Sequence, residues 1–167
     1  MAMTKRPAAA DKAEERPGEC LSLSIKYLDY RPRSESELRG LLAKKSFSEK
    51  EIGEAILHLK EVGLINDLRF ARLWKESRLN SKPRSKKMIS LELGKKGISQ
   101  EIVDETINDI DDEEIAYEMA LRKARKLSHD AKLESHLYNF LKRHGFSHGL
   151  AMETIKKIST RSIERWE

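Results

Sequence analysis

The sequence predicts an all-α protein of three tandem three-helix repeats, forming an elongated, curved array whose handedness the sequence leaves open. Three related segments, KKSFS, KKGIS and RHGFS, end at Ser48, Ser99 and Ser147, at spacings of 99 − 48 = 51 and 147 − 99 = 48 residues. Recurrence at a fixed period of this size is typical of stacked supersecondary units. Apolar residues recur at helical spacing around each segment, and no segment shows the alternation and turn pairs of a β-hairpin.

The predicted boundaries follow the same patterns. The first 20 residues mix Ala, Pro, Lys and Glu without periodicity, which is typical of a disordered tail. One repeat of this size buries little surface, so we expect neighbouring repeats to share apolar faces. The predicted segments are a tail at 1–20, repeats at 21–65, 66–110 and 111–160, and a C-terminal tail at 161–167 that contains Trp166.

The first repeat is predicted to begin with a helix near Leu21 to Tyr30, with Leu21, Ile25 and Leu28 on its buried face. Pro32 ends it, because a proline disfavours helix in the residue before it.

Two capping boxes predict where the next two helices begin. In each, a serine and the glutamate three residues later bond each other's unpaired backbone N–H. They pair Ser34 with Glu37 and Ser48 with Glu51, and Gly63 then ends the third helix.

The other two repeats copy this plan. In the second repeat, a helix from Asp67 to Asn80 is followed by one from about Pro83, a residue suited to a first helical turn. Acidic residues from Asp111 open the third repeat. Leu93 and Leu141 occupy equivalent places on the second helices of these repeats, and we expect both to be buried.

Composition narrows the class of protein. The chain has 167 residues, of which 38% are hydrophobic and 37% charged, and Lys and Arg exceed Asp and Glu by 33 − 28 = 5. A moderately basic chain favours an anionic partner. The one cysteine, Cys20, has no partner for an internal disulfide, and no apolar run suits a signal peptide or a membrane span. We therefore expect a cytoplasmic monomer without membrane contact.

The charge is arranged in bands. Residues 66–97 hold ten Lys/Arg and three Asp/Glu, residues 98–121 hold nine acidic residues and no Lys or Arg, and residues 122–161 again hold ten against three. Arg72, Lys75 and Arg78 share one side of a helix. This banding suggests a face that binds phosphate or acidic protein, and the alternative is an ordinary solvated surface.

Catalytic and metal-binding patterns are not found in the sequence. The acidic run 109–114 lacks the glycine-containing calcium loop, and Gly145 separates His144 from His148. The chain has no glycine-rich phosphate loop, nucleophile elbow or paired acid and base. We expect no enzymatic activity, no metal and no cofactor.

Residues 63–99 read GLINDLRFARLWKESRLNSKPRSKKMISLELGKKGIS and closely resemble the RecX family of recombination regulators. The positions that carry the resemblance are Gly63, Leu64, Ile65, Asn66, Asp67, Phe70, Ala71, Arg78, Glu92, Leu93, Lys96, Gly97 and Ile98. In the third repeat they are Lys132, Leu133, Leu137, Phe140, Leu141, Lys142, Arg143, Gly145 and Phe146. Two departures stand out. Ser81-Lys82-Pro83 replaces a turn in which the family commonly has glycine, and His144 stands where arginine is common.

The resemblance implies a function that the composition does not show. It implies three tandem three-helix repeats that bind RecA in the groove of the RecA–DNA filament. It also implies inhibition of RecA's recombinase and ATPase activities in homologous recombination, DNA repair and the SOS response. Some direct affinity for single- or double-stranded DNA belongs to the same expectation, whereas catalysis and cofactors do not.

The predicted contacts to RecA or DNA are the basic residues of the second and third repeats. We expect charge reversal at Arg72, Arg78 and Lys86 together to abolish inhibition of RecA without unfolding the protein. Two alternatives are a free-standing helical DNA-binding protein acting through basic patches and a scaffold for an acidic protein. The candidate residues are Arg69, Arg72, Lys75, Arg78, Lys82, Arg84, Lys86, Lys87, Lys95, Lys96, Arg122, Lys123, Arg125, Lys126, Lys142 and Arg143.

Overall fold

A computed structural model describes residues 17–127 and 132–164, which contain nine α-helices and no strand. The predicted all-α class is confirmed. The helices are α1 (Pro17–Tyr30), α2 (Glu35–Ala43), α3 (Glu49–Glu61), α4 (Asp67–Ser81), α5 (Lys86–Lys95), α6 (Gln100–Ile107), α7 (Asp112–Lys126), α8 (Leu133–Arg143) and α9 (His148–Glu164). The described residues divide into two compact units, one of residues 17–32 and 38–65 and the other of residues 33–37, 66–127 and 132–164. No helix in the described ranges is long and apolar enough to cross a membrane.

The first unit packs α1 and α3 around one core. Helix α1 begins at Pro17, so residues 17–20, which the sequence assigns to the tail, are helical, and Cys20 is fully buried. Ile25, predicted to be buried, is 38% exposed. The neighbouring Ser24 is buried instead. Its hydroxyl donates a hydrogen bond of 2.7 Å to the Cys20 carbonyl, and this bond replaces the one to water that burial removes. The core residues are Cys20, Leu38, Leu42, Ile52, Ala55, Ile56, Leu59 and Ile65.

The second unit contains two separate cores. Each core draws its buried side chains from one predicted repeat, so the expectation that repeats share apolar faces is wrong for this unit. Helices α4 to α6 supply Phe70, Ala71, Ile89, Leu93, Ile98, Val103 and Ile107. Helices α7 to α9 supply Ala116, Met119, Ala120, Ala124, Leu137, Leu141, Phe146, Ala151, Ile155 and Ile158.

The three recurring segments are the turns between the second and third helices. Their third residues, Ser46, Gly97 and Gly145, all have positive φ, of 62°, 75° and 90°. After α5, the Ile98 N–H bonds the Leu93 carbonyl and the Gly97 N–H bonds the Gly94 carbonyl, which together form a Schellman motif. The period seen in the sequence is therefore the period of one helix-ending turn.

Both predicted capping boxes are formed. Ser48 and Glu51 bond each other's backbone N–H ahead of α3. The Glu37 N–H likewise donates to Ser34 Oγ at 3.1 Å, and the Ser34 N–H donates to Glu37 Oε2 at 3.4 Å.

Helix α5 begins at Lys86 rather than near Pro83. Ser85 is its N-cap, and the Ser85 hydroxyl accepts a hydrogen bond from the Met88 N–H at 3.3 Å. A serine that can bond an unpaired N–H stabilises a helix start more than a proline that only presets φ. At the other end of the chain, α9 continues to Glu164, past the predicted limit at residue 160, and Trp166 lies outside the described residues.

Within the second unit, two helix starts are held by polar contacts. The N–H of Glu35 donates to Asp67 Oδ1 at 2.8 Å, and the N–H of Lys86 donates to Asp112 Oδ1 at 2.7 Å. Ser34 and Ser85 add a second contact each, to a turn that carries a positive-φ glycine. Ser34 Oγ donates to the Lys96 carbonyl at 2.6 Å, and the Ser85 N–H donates to the His144 carbonyl at 3.0 Å.

The two arrangements are equivalent and contain an aspartate, a serine N-cap and a helix-ending turn. Burial raises the pKa of the Asp112 carboxyl, although the hydrogen bond from the Lys86 N–H opposes that rise. Hydrogen bonds of this kind position a helix start more specifically than contacts between apolar side chains do.

The turn at Gly97 packs closely against Ser36 in the first turn of α2, and substitution of this glycine tests that packing. A Cβ at Gly97 would clash with Cβ and Oγ of Ser36, whereas a Cβ at Gly63 would meet nothing within 4 Å. Both glycines have similar φ, 75° and 71°. Alanine costs about 1–2 kcal/mol at a left-handed position, so Gly63→Ala should lose that amount. Gly97→Ala should lower the free energy of unfolding by clearly more, because the first turn of α2 must also move to make room for the new Cβ. Urea unfolding of the two variants measures the difference, and equal losses would contradict the close packing.

Candidate anion-binding cleft

The basic side of α4 is largely paired with acidic residues of the same unit. Each of its three regularly spaced cations has a carboxylate partner. The pairs are Arg72 with Glu105 at 2.8 Å, Lys75 with Asp109 at 2.8 Å, and Arg78 with Glu92 at 2.5 Å. The hydrogen bond from Lys75 holds the pKa of the Asp109 carboxyl below its usual range. The acidic band 98–121 thus neutralises part of the basic band, which the sequence does not predict.

Glu92 is the centre of a half-buried network. Its Oε2 accepts hydrogen bonds from Trp74 Nε1 at 2.9 Å and from Arg78 Nε at 2.5 Å. Its Oε1 lies 3.2 Å from Arg84 Nε, although that contact lacks hydrogen-bond geometry. The guanidinium carbon of Arg78 lies 4.4 Å from the centre of the Trp74 ring. Arg78 therefore supports the fold, and its side chain, 25% exposed, is less available to a partner than that of Arg72, which is 58% exposed.

Two further candidates also have partners. Lys96 Nζ bonds Glu37 Oε1 at 2.9 Å and lies 4.0 Å from the Trp74 ring centre. Lys86 Nζ reaches the Asn108 carbonyl at 3.3 Å. These two lysines help to hold the helix starts described above.

A cleft of about 510 Å³ lies between the turn after α4 and the helices α7 and α8. Five of its lining residues are Lys or Arg and none is Asp or Glu. In the part of the chain that the structure describes, Lys82, Arg122 and Lys126 are exposed and have no carboxylate partner. The lining residues are Asn80, Ser81, Lys82, Pro83, Arg84, Met119, Arg122, Lys123, Lys126, Phe140 and His144. An uncompensated group of cations around a concave surface is suited to binding a polyanion.

Two half-buried aromatic rings line one side of this cleft. The centres of the Phe140 and His144 rings are 4.4 Å apart, and Lys123 Nζ lies 5.8 Å from the Phe140 centre. His144 Nδ1 lies 2.8 Å from the Phe140 carbonyl oxygen. Because a carbonyl can only accept, this bond places a proton on Nδ1 and leaves Nε2 available to another partner. The cleft thus combines cations with a planar surface.

A second cavity, of about 740 Å³, shares Lys123 with the cleft. It brings in Lys142 and Arg143, two more of the predicted candidates. Lys142 Nζ lies 3.3 Å from the Phe146 carbonyl, and Arg143 Nε donates to the Asn139 carbonyl at 3.3 Å. Its lining residues are Lys123, Leu127, His136, Asn139, Lys142 and Arg143.

The remaining candidates line neither cavity. Arg69, Lys87, Lys95 and Arg125 are exposed at other positions. The sequence does not predict a binding role for Phe140. The one signal near it is that His144, whose ring packs against Phe140, stands where the family commonly has arginine. Among the described residues, no group of three or more His, Cys, Asp or Glu side chains is placed to hold a metal ion.

The chain is similar to known proteins along most of its length. Family models described as the first and second three-helix domains of RecX match residues 20–59 and 66–107. The "Regulatory protein RecX" of Streptomyces lividans is 31% identical over 153 residues, covering 88% of this chain and 79% of that protein. The protein of the same name from Chlorobium phaeobacteroides is 34% identical over 137 residues, covering 81% and 91%.

Solved structures show the same similarity in three dimensions. The crystal structure of RecX from Lactobacillus salivarius has a TM-score of 0.75 and 26% identity, covering 86% of this chain and 97% of that one. The two three-helix matches fall on the helices from α1 to α6, and the relatives extend over the third repeat as well. On sequence and fold together, the chain belongs to the RecX family of regulatory proteins.

Proposed function

We propose that this protein binds RecA in the groove of the RecA–DNA filament and inhibits RecA's recombinase and ATPase activities, which places it in recombination and DNA repair. It acts by binding, without a catalytic step of its own. Membership of the RecX family supports a regulatory role, and the cleft between the α4–α5 turn and helices α7 and α8 supports a polyanionic partner. A filament presents both acidic protein surface and DNA phosphate.

The mechanism that we favour is insertion into the groove of the filament. A row of repeats lying along the filament contacts neighbouring RecA subunits. Such bridging opposes either extension of the filament or the subunit motion that accompanies ATP hydrolysis. The cytoplasm, where RecA acts, is the corresponding location.

Lys82, Arg122 and Lys126 provide the test of this proposal. Changing all three to glutamate should abolish inhibition of RecA's DNA-dependent ATPase on preformed filaments, because like charges then face the filament. The fold should survive, since exposed charges usually contribute within about 0.5 kcal/mol each. The measurement is ATPase rate against inhibitor concentration, together with a thermal unfolding curve for each protein.

A second triple variant controls for net charge. Lys44, Lys45 and Lys156 are exposed and line neither cavity, so changing them to glutamate alters the charge by the same amount elsewhere. This control should inhibit RecA nearly as well as the unchanged protein. If the cleft variant folds and still inhibits at the same concentrations, the cleft is not the contact surface.

A free-standing DNA-binding protein is the second candidate function, favoured by the aromatic rings in the cleft. The two functions differ in what they require. A free-standing DNA-binding protein should saturate DNA without RecA with steep salt dependence, and should affect the ATPase only at concentrations that coat the DNA. A regulator of RecA should suppress ATPase activity at concentrations too low to coat the DNA.

A further inference from the structure

We propose that the cleft holds one nucleotide of a single-stranded nucleic acid, with its base against Phe140 and His144 and the two phosphates that flank its sugar on Lys82, Arg122 and Lys126. This inference rests on the proposed function, because it names the part of a RecA–DNA filament that the cleft contacts. It adds a chemical mode of binding, in which a base is stacked as well as a phosphate neutralised.

The size of the cleft favours a single strand. Its volume of about 510 Å³ lies within the range of roughly 300–1,000 Å³ that is usual for small-ligand sites. A B-form duplex, whose major groove alone is roughly 12 Å wide, does not enter such a space. One nucleotide of a flexible strand does.

The arrangement of polar and apolar groups also favours a nucleotide over an acidic peptide. Cations of the turn after α4 and of helix α7 lie around a half-buried aromatic pair, Phe140 with His144, beside the apolar ring of Pro83. An acidic peptide requires only the cations. A nucleotide uses both parts, because every base has a flat face that stacks on aromatic side chains while its phosphate pairs with Lys or Arg. Lys123, near the Phe140 ring, is placed to reach a phosphate on the same nucleotide.

The experiment uses two fluorescent probes and no RecA. One is an oligothymidylate of about eight nucleotides. The other is an abasic strand of the same length and charge. Fluorescence anisotropy should show that the unchanged protein binds the thymidylate strand about ten-fold more tightly, which corresponds to one stacked base. Equal affinity for the two probes would overturn the proposal.

Variants locate the stacking. Phe140→Leu keeps an apolar side chain of similar size and should remove the preference for the thymidylate strand, while Phe140→Tyr should retain it. Tyr138→Leu makes the same type of change on the same helix outside the cleft and should keep the preference. A thermal unfolding curve for each variant checks that it is folded. If Phe140→Leu folds and keeps the preference, the base does not stack there.

Arg122→Ala tests the phosphate contact separately. It should weaken binding of both probes by the same factor and reduce the salt slope by about 0.7, the value for one phosphate on a single strand. Lys156→Ala, an exposed lysine on α9, should leave the slope unchanged. An unchanged slope in Arg122→Ala would overturn the assignment of that residue.

Competitors distinguish the source of the nucleotide. Thymidine monophosphate or ATP should displace the thymidylate strand only weakly, and displacement at micromolar concentration would show a site for free nucleotides instead. A duplex of equal length that binds as tightly as the single strand would also contradict the proposal. Because these measurements contain no RecA, their failure leaves the ATPase test of the proposed function unaffected.

Discussion

Alanine at Leu93 is expected to lower the free energy of unfolding of this protein by about 2–5 kcal/mol. Leu93 is fully buried in the core of α4 to α6, where its side chain has no exposed surface. Removing it leaves a cavity that rigid neighbours fill only in part, and the lost contacts add to the lost burial. Leu141→Ala should cost a similar amount in the core of α7 to α9.

Leu91 offers a matched control for this prediction. It lies on the same helix as Leu93 but is 51% exposed, so Leu91→Ala makes the same chemical change without opening a cavity. Its cost should stay within about 0.5 kcal/mol. Chemical denaturation monitored by circular dichroism compares the three variants. Near-neutral effects at both Leu93 and Leu141 would mean that the helices do not pack in this register.

Arg78→Glu is expected to destabilise the protein by about 3 kcal/mol, since it removes the cation from a mostly buried pair and places two carboxylates together. The Arg78 and Glu92 side chains are only 25% and 18% exposed. The change also removes the guanidinium from the face of the Trp74 ring. It places a second carboxylate next to Glu92, the residue that accepts the hydrogen bond of Trp74 Nε1.

Arg72→Glu is the matched comparison. It also reverses an arginine on α4 opposite a glutamate, but the side chains of Arg72 and Glu105 are 58% and 54% exposed. Water screens such pairs, so the cost should be about 0.5 kcal/mol. Thermal and urea unfolding measure both variants. Equal, small costs would show that the Glu92 network adds nothing to stability.

This difference changes how the basic band is tested. The sequence suggests that Arg72, Arg78 and Lys86 form one exposed surface, on which charge reversal leaves the fold intact. In the structure Arg78 is mostly buried and Lys86 contacts the Asn108 carbonyl, so we now expect charge reversal at these positions to affect the fold. Loss of activity in that triple variant would reflect unfolding as well as binding, and Lys82, Arg122 and Lys126 avoid this difficulty.

The sequence by itself determined the local features of this protein. The capping boxes at Ser34 and Ser48 and the positive-φ glycines at 63, 97 and 145 all depend on residues close together in the chain. Helical periodicity also predicted the buried side chains Leu93 and Leu141 on the second helices of the last two repeats, because sequence spacing alone decides which residues share a helix face. The family resemblance rested on the same short-range motifs.

Only the tertiary structure decided which charges remain available to a partner. Arg78 lies 14 positions from Glu92, Arg72 lies 33 from Glu105, and the cleft joins the turn after α4 to helices α7 and α8. No periodicity links such residues, since their distance depends on how whole helices pack. The start of α5 at Lys86 depends in part on the same packing. Its N-cap, Ser85, accepts a local hydrogen bond from the Met88 N–H, and the Ser85 N–H also donates to the carbonyl of His144, 59 residues away.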